Sequence, residues 1–331
     1  MMITPERLGD TLMCTPAIHY LKSHYPDIEI NIIALSDLSA EVLQNNPAIH
    51  KMYVLPSYKL IRSLKYQIDY GINIHYGRLV QNYFQLIKLF SIPTFEIPAV
   101  KPFFHQAEQC LEFIQSIAPE KSGIIDRTYK LYPSEADKKH VAHLFEKNKI
   151  NPSKDILIGC QIGCHSLAKK RLFFAKKMNH PKIWPLEHIQ TFAKLCEKYN
   201  PNIKIIITGS QSEKKLAKKL VQSSSNIVDF VDQTTVPQLH TLLKQLKIFI
   251  SPDTGLMHVA CSANIPLIAL FGPTELRRTG PYPELSDLTI IQAPTMVEIS
   301  PESVFKIVMN KLVKSEPQLL EPASHIIEVV A

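Results

Sequence analysis

The sequence predicts an α/β protein made of two successive domains, each a parallel sheet covered by helices on both faces. Three observations carry this. The 331 residues suit about two domains at about 150 residues each. Short apolar runs of strand character alternate with amphipathic stretches along the chain, a pattern that implies parallel sheets with crossover helices. The alternation pauses at Asn151-Pro152-Ser153 and then restarts, dividing the chain into 1–150 and 151–300, with a helix at 301–315 and a tail at 316–331.

In the first domain, Met1–Thr4 reads as a very short strand, followed by a loop carrying Arg7, Leu8, Gly9 and Asp10. Thr15 and Pro16 suit the N-cap and first turn of a helix whose apolar stripe is Ile18, Leu21 and Tyr25. Ile28–Leu35 reads as a buried strand, Ser39–Asn46 as a short helix, and Met52–Leu55 and Tyr70–Ile74 as further strands. Tyr83, Phe84, Ile87 and Phe90 give Val80–Phe90 a helical face. Pro93, Pro98 and Pro102 mark a connection from Pro93 to Phe104. Gln106–Ile117 is helical, and Ser134 with Asp137 three residues on signals the next helix start.

In the second domain the strands are Ile156–Cys160, Ile203–Ile207, Ile227–Phe230, Ile248–Ile250, Leu267–Phe271 and Leu288–Ile291. Between them lie helices at Pro185–Tyr199 and Glu213–Val221, another marked by Leu239, Leu242, Leu243 and Leu246, and a last one from Pro301 to about Leu312. The most informative stretch is Ser251–Thr274, SPDTGLMHVACSANIPLIALFGPT. A strand runs into Pro252, Asp253, Thr254 and Gly255, a helix with Ala260, Ser262 and Ala263 follows, and Pro266 ends it before the next strand. That turn falls at the carboxyl end of a strand, where ligands of open α/β sheets bind. The free amides of a helix start suit a phosphate, and Gly255 lets a ligand approach the backbone.

Composition narrows the function classes. No apolar run approaches the roughly 20 residues that span a bilayer, and Met1–Asp10 lacks the apolar centre of a secretory signal, so a cytoplasmic location is expected. Absence of a Walker A sequence and of Gly-x-Gly-x-x-Gly argues against an ATPase or a dehydrogenase. Six cysteines, Cys14, Cys110, Cys160, Cys164, Cys196 and Cys261, form no Cys-x-x-Cys pair and are expected to be buried free thiols. Cys160, Cys164 and His165 form the one cluster that would suit a metal, but no second pair of ligands accompanies it, and no metal is expected. The net charge of +7 is concentrated at Lys169, Lys170, Arg171, Lys176, Lys177 and Lys182, around Leu172-Phe173-Phe174. This segment reads either as a flap meeting an acidic acceptor or an anionic membrane surface, or as a solvated insertion. It belongs to no nucleic-acid recognition module.

Taken together, the motifs resemble glycosyltransferase family 9, the bacterial heptosyltransferases of the lipopolysaccharide core. The resemblance rests on Asp253-Thr254-Gly255, His258, Ala260, Ala263, Pro266 and Leu270-Phe271-Gly272-Pro273-Thr274. Arg7-Leu8-Gly9-Asp10 with Thr15-Pro16, Lys182-Ile183-Trp184-Pro185, and Thr208-Gly209 with Glu213 follow the family's order, covering most of Met1–Leu312. It implies a GT-B fold, two Rossmann-like domains facing each other across a cleft, in which the last helix often returns to the first domain. It also implies inverting, metal-independent transfer without a cofactor, from a nucleotide-diphosphate sugar, typically ADP-heptose, to a lipid-linked saccharide. The chain departs from the family pattern at Ile162-Gly163, where Pro-Gly is usual, in the basic stretch Leu167–Pro181, and in its short first strand.

The resemblance and the residues together set the expected roles. Asp10 either caps the following helix or takes the acceptor proton. Lys182 is expected to neutralise the departing diphosphate, with the Thr254 hydroxyl, the amides around Gly255 and His258 completing the phosphate site. Asp253 caps the helix or binds donor hydroxyls. Glu213 either accepts hydrogen bonds from a ribose or is a solvated helix-start residue. A nucleotide-sugar isomerase or hydrolase of the same fold, with His75 as its further acid-base group, and a non-catalytic nucleotide-sugar binding module are the competing readings.

Overall fold

The computed structural model describes residues 1–119, 124–163 and 181–315. Strands β1 (Met2–Thr4), β2 (Asn31–Ala34), β3 (Lys51–Val54), β4 (Gly71–Asn73) and β5 (Thr94–Glu96) form one sheet in the order β3-β2-β1-β4-β5. Strands β6 (Ile156–Gln161), β7 (Ile203–Thr208), β8 (Ile227–Asp229), β9 (Ile248–Pro252), β10 (Leu267–Phe271) and β11 (Leu288–Gln292) form the other, ordered β11-β10-β9-β6-β7-β8. Every pairing is parallel. Both orders are the doubly wound kind, whose direction reverses beside the first strand. The reversals fall between β1 and β4 in one half and between β6 and β9 in the other.

The Leu8–His24 helix follows β1 and the Gly255–Ala263 helix follows β9, and their first turns touch. A Cβ placed on Gly255 would lie 3.0 Å from Leu8 Cδ2 and 3.3 Å from the Gly9 nitrogen. The carboxyl ends of the two reversal points therefore face each other, which is the GT-B arrangement. One buried apolar cluster joins the halves, running from Leu12 and Met13 to Met257 and Ala260. Polar contacts reinforce it, among them the Val236 N–H donating to Glu41 Oε2 at 2.9 Å, the Tyr282 hydroxyl donating to Glu108 Oε1 at 2.7 Å, and His140 Nε2 lying 2.8 Å from the Gln233 carbonyl.

The helix after β1 begins at Leu8, not at Thr15-Pro16, so Asp10 is its third residue and does not lie on a loop. Pro16 sits inside the helix and has no N–H for the Leu12 carbonyl. Thr15 Oγ1 donates to that carbonyl at 2.7 Å, which lets the helix run through the proline. What reads in sequence as a start signal is a repair of the backbone.

Several elements are absent from the sequence expectation, among them β5 and the helices Tyr58–Leu64 and Leu276–Thr279. The edge strand β5 lies inside the proline-marked connection, a tolerated place because prolines flank it and the strand pairs on one side alone. Helix Tyr58–Leu64, capped by Ser57, buries only Ile61 and Leu64 and so leaves little periodic signal. The capping box of Ser134 with Asp137 forms as expected.

The last helix, Pro301–Ser315, corrects an expectation. It packs on the Leu186–Tyr199 helix, and Val304, Val308, Met309 and Leu312 share a core with Trp184, Ile189 and Phe192 of the second half. Trp184 Nε1 donates to the Ile299 carbonyl at 2.9 Å, and Lys311 pairs with Asp287. Its apolar face is thus consumed by the second half and does not return to the first. The basic segment from Leu167 to His180, the residues Cys164 and His165, and the tail 316–331 lie outside the described residues. The five described cysteines, Cys14, Cys110, Cys160, Cys196 and Cys261, are buried and free.

Gly159, in the middle of β6, faces full space. A Cβ there would come within 2.5 Å of Leu246 Cδ1 and 2.6 Å of Phe249 Cδ2. Gly159→Ala is expected to cost about 1–3 kcal/mol through overpacking, read as a lower urea midpoint at an unchanged slope.

Candidate active site

The first reversal point brings two residues together. Asp10 stands in the first turn of the helix after β1, and His75 follows β4 by two residues. His75 Nε2 lies 3.6 Å from Asp10 Oδ2, with the side chains 11% and 22% exposed. The ring is held from behind: the His75 N–H donates to Asn73 Oδ1 at 3.0 Å, and the Gly77 N–H donates to His75 Nδ1 at 2.9 Å. Burial lowers the pKa of His75 and outweighs the opposing pull of the Asp10 and Glu6 carboxylates, while the charges of Arg278 and Arg7 add to the lowering. Arg278 belongs to the short helix Leu276–Thr279 after β10, so the second half contributes charge to this corner.

The second reversal point carries the turn Asp253-Thr254-Gly255. Thr254 is the N-cap of the Gly255–Ala263 helix and supplies no side-chain cap; its Oγ1 lies 3.5 Å from Ser251 Oγ. Asp253 does not cap the helix. Its carboxylate, 7% exposed, receives a hydrogen bond from Lys182 Nζ at 2.6 Å. An ammonium group is thereby fixed beside a helix start that lacks a side-chain cap, and both attract anions.

His258 lies between the two corners. It is buried, and a Cβ added to Gly9 would sit 2.9 Å from its Cδ2. Tyr129 meets the ring edge-on at 5.7 Å between centroids. Among the described residues neither His258 Nδ1 nor the Tyr129 hydroxyl has a hydrogen-bond partner. Burial, helped by the charges of His105 and Lys182, pushes the His258 pKa down to about 3. The ring is consequently neutral at physiological pH and adds no positive charge to a phosphate site.

Glu213 is buried rather than solvated. Its Oε2 accepts from the Ser210 N–H and hydroxyl, each at 2.7 Å, and Oε1 accepts from the Ser212 hydroxyl at 2.6 Å. A Cβ on Gly163 would be 2.3 Å from Glu213 Cγ. The departure from Pro-Gly to Ile162-Gly163 therefore keeps the glycine on which this packing depends.

The structure thus gathers Asp10, His75, Gly9, Gly255 and His258 around the contact between the halves, with Asp253 and the Lys182 it holds at the Asp253–Gly255 turn and Glu213 beyond β7. Sequence reasoning named His75 without placing it beside Asp10. The missing signal is strand order, because residues after β1 and after β4 meet only where those strands are neighbours. A cavity of about 650 Å³ between the Glu135–Lys147 and Val236–Leu243 helices lies away from all of these groups. No group of three potential metal ligands, and no helix long and apolar enough to cross a membrane, occurs among the described residues.

Residues 135–308 match the family model of glycosyltransferase family 9 (heptosyltransferase). The chain is 26% identical over 323 residues to lipooligosaccharide heptosyltransferase 2 of Haemophilus ducreyi, with 85% of each chain covered. Its fold matches the glycosyl transferase family 9 structure from Veillonella parvula with a TM-score of 0.77 at 18% identity, covering 95% of this chain and 97% of that one. It also matches the ADP-heptose lipopolysaccharide heptosyltransferase II of E. coli with a TM-score of 0.74 at 18% identity, covering 95% and 98%.

Two outcomes follow from the geometry. Gly9→Ala drives a methyl group against His258, whose ring is backed by Tyr129. Because a misplacement of about 1 Å can cost about 10²-fold, turnover is expected to fall about 10–100-fold, measured by steady-state kinetics. The second concerns pH. A histidine held neutral in the fold but free to protonate when unfolded makes the unfolded state bind more protons below pH 6.5. Stability is then full above 6.5 and declines as pH falls from there towards about 3. His258→Leu should remove about 2–3 kcal/mol of the decline between pH 6.5 and 4.5, measured from urea midpoints at the two pH values.

Proposed function

The chain belongs to glycosyltransferase family 9, and on that premise we propose that it moves a heptose from ADP-heptose to a hydroxyl of a lipopolysaccharide-core acceptor, with inversion and without a metal. The observation that carries this reading is the contact of Gly9 with Gly255 and His258. It sets a carboxylate from one half against an anion-attracting helix start from the other. The proposed chemistry draws on both, Asp10 from one half and the Gly255 helix start from the other.

In the proposed step the acceptor oxygen attacks the anomeric carbon from the face opposite the diphosphate. The bond from that carbon to the diphosphate oxygen breaks, its electron pair leaving with the nucleotide, and the hydroxyl proton passes to the Asp10 carboxylate. An ordinary carboxylate is a weak base for an alcohol, so the proton moves late, once the oxygen has become acidic by bonding to carbon. Lys182, the Thr254 hydroxyl and the amides at Gly255 oppose the charge gathering on the departing diphosphate. Asp253 keeps Lys182 at the turn. His258, being neutral, can offer a single N–H and no charge. We assign the donor ribose to Glu213, whose carboxylate is already ordered by Ser210 and Ser212.

The acceptor is a lipid-linked saccharide in this reading, which puts the enzyme at the cytoplasmic face of a membrane without embedding it. The basic segment around Lys169–Arg171 is the proposed point of peripheral contact with anionic lipid.

Asp10→Asn is expected to bind ADP as the parent does and to lose about 10²–10⁴-fold in kcat, followed as acceptor-dependent ADP release. Near-parental turnover would remove Asp10 from the mechanism. Lys182→Ala is expected to lower kcat by about 10²–10³-fold, the usual effect of deleting one stabilising donor. In a thermal-shift panel ADP should outperform UDP and GDP, and a UDP preference would count against the heptose donor.

A further inference from the structure

His75 is not accounted for by the transfer step, yet it is the residue the fold aims at the proposed base. Its ring has two nitrogens with separate surroundings. The Gly77 N–H points into Nδ1 at 2.9 Å, so Nδ1 must be the acceptor and carries no proton. In a neutral imidazole the proton then belongs to Nε2, and Nε2 is the atom 3.6 Å from Asp10 Oδ2. The ring has little freedom to turn. Asn73 Oδ1 pins the His75 backbone, and a Cβ on Gly77 would already sit 3.0 Å from Nδ1. His75 itself is 9% exposed and Asn73 fully buried.

We propose that His75 is a positioning residue for Asp10: its Nε2–H holds carboxylate Oδ2, leaving Oδ1 presented to the acceptor hydroxyl. The inference rests on the reading of Asp10 as the base. A separation of 3.6 Å is slightly long for a hydrogen bond, and such contacts tighten when substrate fills the site. The same tautomer excludes a relay. A histidine that received the acceptor proton would need a bare nitrogen facing the hydroxyl, but Nδ1 takes the Gly77 N–H and Nε2 already carries the proton facing Asp10. The proton that leaves the acceptor therefore stays on Asp10 until the product departs, and His75 gains and loses nothing in the cycle.

This arrangement predicts a particular mutational pattern. With ADP-heptose and a lipopolysaccharide-core acceptor, His75→Ala should lower kcat about 10–100-fold and leave the donor KM and the ADP Kd unchanged. His75→Gln, whose amide can offer an N–H near the Nε2 position, should recover most of the loss. In an Asp10→Asn background, His75→Ala should have no further effect, because the group it positions is already gone. Gly77→Ala, which presses on Nδ1 from outside the pair, should reproduce part of the kcat defect if His75→Ala proves unstable. An unchanged kcat in His75→Ala, a defect confined to ADP binding, or a Gln variant as poor as the Ala variant would each overturn the proposal. If Asp10→Asn is itself near-parental, the underlying reading fails instead, and the two failures are told apart in one assay.

A measurement without turnover tests the same point. With ¹⁵N-histidine-labelled protein at pH 7.5, long-range proton–nitrogen spectra should show His75 as the neutral form with a protonated Nε2 and a bare Nδ1. Asp10→Asn should move the Nε2 resonance. A protonated Nδ1, an imidazolium, or an Nε2 signal indifferent to Asp10→Asn would refute the assignment.

Discussion

The contact between Gly9 and the Gly255–His258 turn is the constraint on which the rest of the site depends. Two helix starts approach until backbone nearly meets backbone, with the nitrogen of Gly9 3.3 Å from where a Gly255 side chain would begin. Glycine at both positions allows it without displacing a neighbour. The approach makes a shared corner out of two separate reversal points, and it buries His258, which fixes that ring in its neutral form. A wider separation would leave Asp10 facing water and the donor turn facing nothing.

Positive charge at the Asp253–Gly255 turn is organised rather than abundant. Lys182 is held by Asp253, a nearly buried carboxylate that would otherwise be an expensive lone charge. The pair leaves the turn close to neutral before a ligand arrives, while the helix start retains its partial positive field. In the proposed reading a diphosphate would meet an ammonium whose position is already decided, so its binding would need little reorganisation.

Much of this was legible in the chain. The alternation of strands and helices is a matter of local periodicity, and the ligand turn at Asp253–Gly255 announces itself by strand, polar turn and small-residue helix. Thr15-Pro16 misled because Pro and Thr carry the same signature at a helix start and at a repaired interior position, and only the Leu12 carbonyl distinguishes them. Asp253 misled in a similar way: a carboxylate before a helix resembles a cap unless a lysine 71 residues away is known to claim it. The pairing of Asp10 with His75 and the final position of the Pro301–Ser315 helix are set by tertiary neighbours. No window of sequence contains them.

Gly9 and His258 come from opposite halves of the chain, yet a larger residue at position 9 presses directly on the ring at 258. For protein engineers this limits the exchange of whole domains between relatives, an obvious route to altered donor preference in a two-domain transferase. A transplanted second half must bring a residue at position 258 that accepts whatever stands at position 9, or the shared corner of the two halves shifts. The interface is a lock whose wards are cut on both pieces.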